Sequence, residues 1–134
     1  MDNKTIIFNS FVEKAKRRIE ERKKFNTKKY HVKSMDVEIT LHGLTEQEIA
    51  ECTDMFDSSI ENDKYSIFMA CPDLQEASKL MVLDGSLKEH ERYKITDMFT
   101  FPERKYLAEQ VMELSGIYDE ADIEPVDEVD EVKN

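Results

Sequence analysis

Three histidines, two cysteines and thirty carboxylates are the side chains of this 134-residue sequence that could carry chemistry. General acid–base work needs two carboxylates converging in a dry cleft with separated pKa values, and acids scattered along the whole chain single out no such pair. His31, His42 and His90 stand alone, with no second histidine or cysteine at ligand spacing, so no metal-binding pattern emerges. Cys52 and Cys71 belong to no CxxC motif and sit in apolar, helix-like contexts, which reads as small buried thiols. No serine or cysteine lies in a nucleophile elbow. Neither GxGxxG nor GxxxxGK[ST] occurs, and three glycines are few for a phosphate loop. The segment DGSLKEHE shares only its first two letters with a cation-binding loop. The expectation is therefore a chain without catalytic, cofactor-binding or metal-binding residues: a protein that binds other proteins.

Composition narrows the class. Hydrophobic residues make up 40% and charged residues 37%, with three prolines, three glycines and no tryptophan. Abundant Glu and Lys with few turn-formers favour helices over a strand-rich sandwich. The length suits a single modest core. A net charge of -11 argues against general nucleic-acid binding, because phosphate neutralisation needs excess Lys and Arg. Charge is, however, segregated: residues 1–34 hold eleven Lys/Arg against four Asp/Glu, and the remainder holds eight against 26. No segment approaches the roughly 20 apolar residues that span a bilayer. The stretch TIIFNSFV behind Lys4 is too short and polar-broken for a signal peptide. A soluble protein of a reducing cytoplasm is expected.

The elements follow from periodicity. SFVEKAKRRIEERKKF reads as a basic amphipathic helix, with Ser10 and Glu13 as its capping box and Phe11, Val12, Ala15 and Ile19 as a thin apolar stripe. In HVKSMDVEITLHG, Val37, Ile39 and Leu41 alternate with polar residues up to Gly43, a strand signal, and KKYHV before it is either a hairpin partner or an extension. LTEQEIAECTDMF opens on a Thr45–Glu48 capping box with a Leu44–Ile49 staple, then runs Ile49, Cys52, Phe56, Ile60 as a core stripe. The apolar run KYSIFMAC stops at Pro72, after which Asp73 with Glu76 should cap a short helix ending at Gly85. Ser86 and Glu89 offer a further box. Thr100 and Glu103, with Pro102 in the first turn, start a helix over about 101–115, whose Leu107, Val111 and Leu114 face inward and whose end is marked by Gly116. From Asp119 on, eight acids against Lys133 predict a disordered tail.

The expected organisation is thus mainly α. A basic arm over 1–34 precedes a small helical core domain over 35–118 with a short strand or hairpin near 30–42, and an acidic tail follows over 119–134. Partner contacts are expected from apolar side chains outside that core: Phe8, Phe11, Val12 and Ile19 on the arm, and Phe99 and Phe101 at the start of the last helix.

The order LTEQEIAECT, then KYSIFMACPDLQEASKL, then FPERKYLAEQVMELSGIYD resembles the XkdN-like tail assembly chaperones of contractile-tailed phages and prophages of Gram-positive bacteria. The resemblance covers residues 44–118. Its main points are Pro72-Asp73-Leu74 after an apolar helix and LAEQVMELSG, similar to the family's terminal Leu-Ala-Glu-Lys-Val-x-Glu-Ile-Asn-Gly. The family often has Gly-Glu-Tyr after the proline, where this chain has Glu103-Arg104-Lys105-Tyr106 and one residue less before Leu107. The resemblance implies a non-enzymatic role: binding a long helical tape measure protein, keeping it soluble until tail tube subunits polymerise, and leaving before the particle matures. The tape measure protein is then the expected partner, with the tail tube protein as a second and self-association as a third. Nucleic acid and membrane are not expected, and the setting is the bacterial host cytoplasm. Two alternatives stand beside it. One is a small regulatory or antitoxin-like module acting through its basic arm. The other is a structural part of a phage-tail-like particle, pairing its 36–41 strand between copies.

Overall fold

A computed structural model describes residues 3–22 and 26–126. The last eight residues of the acidic tail and Lys23 and Lys24 of the basic arm lie outside the described residues. The fold is mainly helical with one antiparallel hairpin, as the composition implies.

Helix α1, Asn3–Arg22, begins seven residues before the predicted cap. Ser10 is an interior position rather than a cap, because neither Gly nor Pro interrupts the preceding residues and the β-branched pair Ile6-Ile7 lowers helix propensity only slightly. The hairpin follows: β1, Thr27–Val32, pairs antiparallel with β2, Val37–His42, with Tyr30 opposite Ile39 and Val32 opposite Val37. KKYHV is therefore a hairpin strand. Its Tyr30 and Val32 are core residues, so the folded body begins before the 34/35 boundary drawn from sequence. Asp36 takes the left-handed conformation that closes the turn, φ 53°, which Asp tolerates better than most residues. Its carboxylate lies 2.9 Å from the His31 ring.

Five helical segments follow the hairpin: α2, Glu46–Asp54; α3, Ser59–Met69; α4, Pro72–Leu83; a 3₁₀ segment, Glu89–Met98; and α5, Phe101–Leu114, of which α4 and α5 pack against β2. The Thr45–Glu48 and Thr100–Glu103 boxes both form reciprocally. Other predicted caps do not. Asp73 leaves the N-cap of α4 to Cys71, and its carboxylate instead accepts the Thr40 N–H of β2 at 3.0 Å. Ser86 turns back to Asp84, and Lys88 holds the cap position before the 3₁₀ segment. Ile60 is exposed, because α2 ends at Asp54 and α3 restarts the helical phase at Ser59.

Leu41, Ile67 and Val111 are fully buried and join the hairpin, α3 and α5 into one core. The hairpin's end rests on the C-terminus of α5. The Gly43 N–H donates to the Asn26 carbonyl and the Leu44 N–H to the Ser115 hydroxyl. A Cβ on Gly43 would stand 2.4 Å from the Leu114 carbonyl oxygen, closer than any packed pair allows. That neighbour is backbone and cannot swing aside. Gly43→Ala is accordingly expected to destabilise the fold by about 1–3 kcal/mol, the usual cost of overpacking, read as a lower urea midpoint at unchanged slope.

Candidate interaction surface

The described residues contain no group of three or more His, Cys, Asp or Glu placed to hold a metal ion. Cys52 and Cys71 are buried and unpaired. Burial, with Glu48 and Glu51 nearby, pushes the Cys52 thiol up to about 11, and burial raises Cys71 as well, so both stay protonated and unreactive at neutral pH. The three histidines are dispersed. His31 meets Asp36, the His42 ring lies 2.7 Å from the Gly43 carbonyl, and His90 meets Glu91.

The densest polar cluster pins α3 to the 3₁₀ segment. The Lys64 ammonium, largely buried, lies 2.9 Å from Glu61 and 2.7 Å from Asp97, and the Tyr93 hydroxyl donates to Glu61 at 3.0 Å. The rings of Phe56, Tyr65 and Tyr93 pack beside it, with Phe56 and Tyr93 5.0 Å apart. The hydrogen bond from Lys64 holds the Glu61 carboxyl below its usual range against the opposing effect of burial. Burial works against the Lys64 charge, but hydrogen bonds to Asp97 and Glu61 outweigh it and raise the ammonium. A depressed carboxylate stabilises the fold at every pH above its ordinary range and loses that contribution as pH falls through the folded value. Urea midpoints are thus expected to drop on acidification below about pH 4.5, the ordinary Glu value. In Glu61→Gln the midpoint at pH 7 is lower and the acid-dependent part of the drop is smaller.

The exposed apolar residues tell a different story. No residue of α1 is buried. Phe8 is 63% exposed, Phe11 71%, Val12 44% and Ile19 57%. At 100° per residue, these four and Ala15 fall within an arc of roughly 100°. Lys16 flanks that arc on one side and Arg18 on the other. The sequence-predicted arm residues are thereby brought together as one stripe that the body does not cover. Arg22 reaches Glu46 at 2.8 Å, but both side chains are mostly in water, where such a pair contributes at most about 1 kcal/mol. Between the last turns of α1 and the body lies an open groove of about 790 Å³, whose apolar wall is Leu44, Ile49, Leu114 and Ile117.

At the start of α5 the two predicted contact residues separate. Phe101 is half exposed, with the Lys105 ammonium 5.8 Å over its ring. Phe99 is 2% exposed and belongs to the core, so it is not a contact residue. Phe99 and Thr100 form the extended link and Phe101 is already the first residue of α5, so the change to helical backbone breaks the two-residue alternation that would have put both rings on one side, and Phe99 alone points inward. Sequence reasoning left KKYHV open as hairpin partner or extension and named no contact residue on it. The outer edge of β1, without a strand partner among the described residues, borders a second groove, about 490 Å³, along Tyr30, Val32, Pro102 and Tyr106. The signal was present in KKYHV, which alternates like its partner strand.

No protein-family model, curated protein or solved structure matches the chain.

Truncation separates the two phenylalanines. Phe99→Ala is expected to cost about 3–5 kcal/mol, as large-to-small core changes do. Phe101→Ala is expected to stay within about 0.5 kcal/mol of the parent. Thermal and urea unfolding of both variants checks the pair.

Proposed function

We propose that this protein is a non-enzymatic assembly chaperone whose client is a long helical protein, the tape measure of a contractile phage tail, shielded in the host cytoplasm until tube subunits enclose it. The observation that carries this reading is the uncovered stripe of Phe8, Phe11, Val12 and Ile19 along α1. A folded chain that leaves such a stripe in water forgoes about 1.5–3 kcal/mol for each large side chain a partner could bury. The matching surface is another amphipathic helix, laid along the stripe through its own i, i+3, i+4 residues. The client implied by the resemblance presents long amphipathic helices, whose uncovered apolar faces would aggregate unaided.

The basic flanks add a preference. Lys16 and Arg18 border the apolar arc, so a client helix with acidic residues beside its apolar face gains charge complementarity and faster encounter. Several copies bound along one client would raise total affinity while each single contact stays weak enough to release. The resemblance over residues 44–118 supports the same role, and it falls on the body that carries α1 rather than on α1 itself.

Co-expression with the longest helical protein encoded beside this gene is expected to raise that protein's soluble yield and to co-purify the two. Phe8→Asp with Phe11→Asp is expected to abolish both effects while the circular dichroism and unfolding midpoint of the body stay unchanged. An unaltered soluble yield with the intact chain, or full activity in the double variant, overturns the reading.

A further inference from the structure

The register of the hairpin decides which backbone groups face outward. The Thr40 N–H donates to Asp73 and the His42 N–H to the Ala70 carbonyl, so these residues belong to the outward-facing set of β2. Their partners across the ladder, Lys29 and Thr27, must face outward on β1, and alternation adds His31 opposite Glu38. Two outward N–H groups of β2 are therefore occupied, which makes the 36–41 strand a poorer edge for a second copy than β1. The outer edge of β1 pairs with no strand or helix among the described residues. It presents the N–H and C=O groups of Thr27, Lys29 and His31 over the length of a six-residue strand.

What lies beside that edge makes it a seat. Pro102 and Tyr106 of α5 form an apolar floor in the groove next to it, and the Tyr106 ring packs edge-on to Tyr30 at 6.2 Å. Tyr30 is fixed in turn by a 2.8 Å hydrogen bond from its hydroxyl to Gln110. The acid in the groove, Glu103, is occupied by the Thr100 N–H and the Ser34 hydroxyl. Along the edge itself, residues 27–33 carry Lys28, Lys29 and Lys33 and no acid. Among the described residues, Lys29 makes only a long ion-pair contact, 3.6 Å to Glu38, with both side chains exposed. Lysines on an edge strand oppose pairing with an identical strand, because like charges would then line up along the new ladder. They favour a strand of opposite charge.

We propose that the β1 edge is a second binding site, which takes an extended acidic segment of a partner protein by strand addition. The incoming strand alternates, with apolar side chains on Pro102 and Tyr106 and carboxylates between them facing Lys29 and Lys33. This site is independent of the helix stripe on α1 and of the chaperone reading.

The test uses the full-length ¹⁵N-labelled chain and three blocked heptapeptides: alternating Val-Glu, alternating Val-Lys, and the Val-Glu peptide N-methylated on the residues that face the edge. The Val-Glu peptide is expected to shift the Lys29 and His31 amides saturably and to slow their hydrogen exchange at least tenfold. The Val-Lys and N-methylated peptides are expected to bind at least tenfold more weakly. In Lys29→Glu with Lys33→Glu the preference between the Val-Glu and Val-Lys peptides reverses. Equal binding of all three peptides, shifts confined to α1, or no saturable shift overturns the proposal. So does protection of Lys29 and His31 without added peptide, which would assign the edge to another copy where it depends on concentration and to the chain's own acidic tail where it does not.

Discussion

A two-stranded hairpin cannot satisfy both of its edges, and the closing of one of them organises the rest of this fold. The corner between α3 and α4 supplies two acceptors, the Ala70 carbonyl and the Asp73 carboxylate, at the outward N–H groups of His42 and Thr40. A hydrogen bond of this kind contributes about 0.5–1.5 kcal/mol net, and the two together fix the hairpin's position along the helices. With β2 held there, Ile39 and Leu41 point into the core, and Gly43 comes down on the end of α5 with no room for a side chain. The other edge, on β1, is left to solvent by the same arrangement.

This constraint explains which local signals in the sequence were readable. Thr45–Glu48 and Thr100–Glu103 form their capping boxes because both partners lie within one turn and nothing distant competes. Asp73 has the same local grammar and a different fate. Its carboxylate is claimed by a strand 33 residues away, an attraction no local window contains. Ser10 shows the reverse error: a capping pattern carries weight only where something stops the helix upstream, and nothing in Thr5–Asn9 does. Phe99 and Phe101 share type and neighbourhood, and only the switch from extended to helical backbone between them sends one inside. Alternation in the strand, helical period in α5 and the mainly helical class were legible because each depends on spacing along the chain. The stripe on α1 was legible as a pattern. Its exposure became visible only once the body was seen to close without it.

The charge segregation now has a structural meaning. Of the basic residues in the first 34 positions, those described lie on α1 and on the strand and turn of β1, the two elements that leave an edge or face unpartnered. The acids outside that region cover the body and continue through the described part of the tail, residues 119–126, which is exposed and without regular structure. If the two signs neutralised each other within the molecule, close pairs between arm and body would be strong and shielded. The pairs that do form there, Arg22 with Glu46 and Lys29 with Glu38, are solvent-exposed, and the second is 3.6 Å long. Solvent-exposed pairs of this kind contribute at most about 1 kcal/mol each, so they do little to neutralise the basic elements.

Among the described residues, apolar surface without a cover, backbone without a ladder partner and a surplus of positive charge paired only in solvent thus coincide on the same two elements. Each alone has an ordinary explanation: exposed apolar residues are common, edge strands end every sheet, and lysines protect edges. Their coincidence is harder to attribute to the needs of folding, since no residue of α1 is buried and none belongs to the hydrophobic core. The body needs β1 for Tyr30 and Val32 but gains nothing from leaving its outer edge bare beside an aromatic groove. A helix recognised by its stripe and a strand recognised by its edge read different features of a partner, one periodic near 3.6 residues and the other at two. A chain carrying both is equipped to hold a segment that is helical in one stretch and extended in the next, without requiring either contact to be tight.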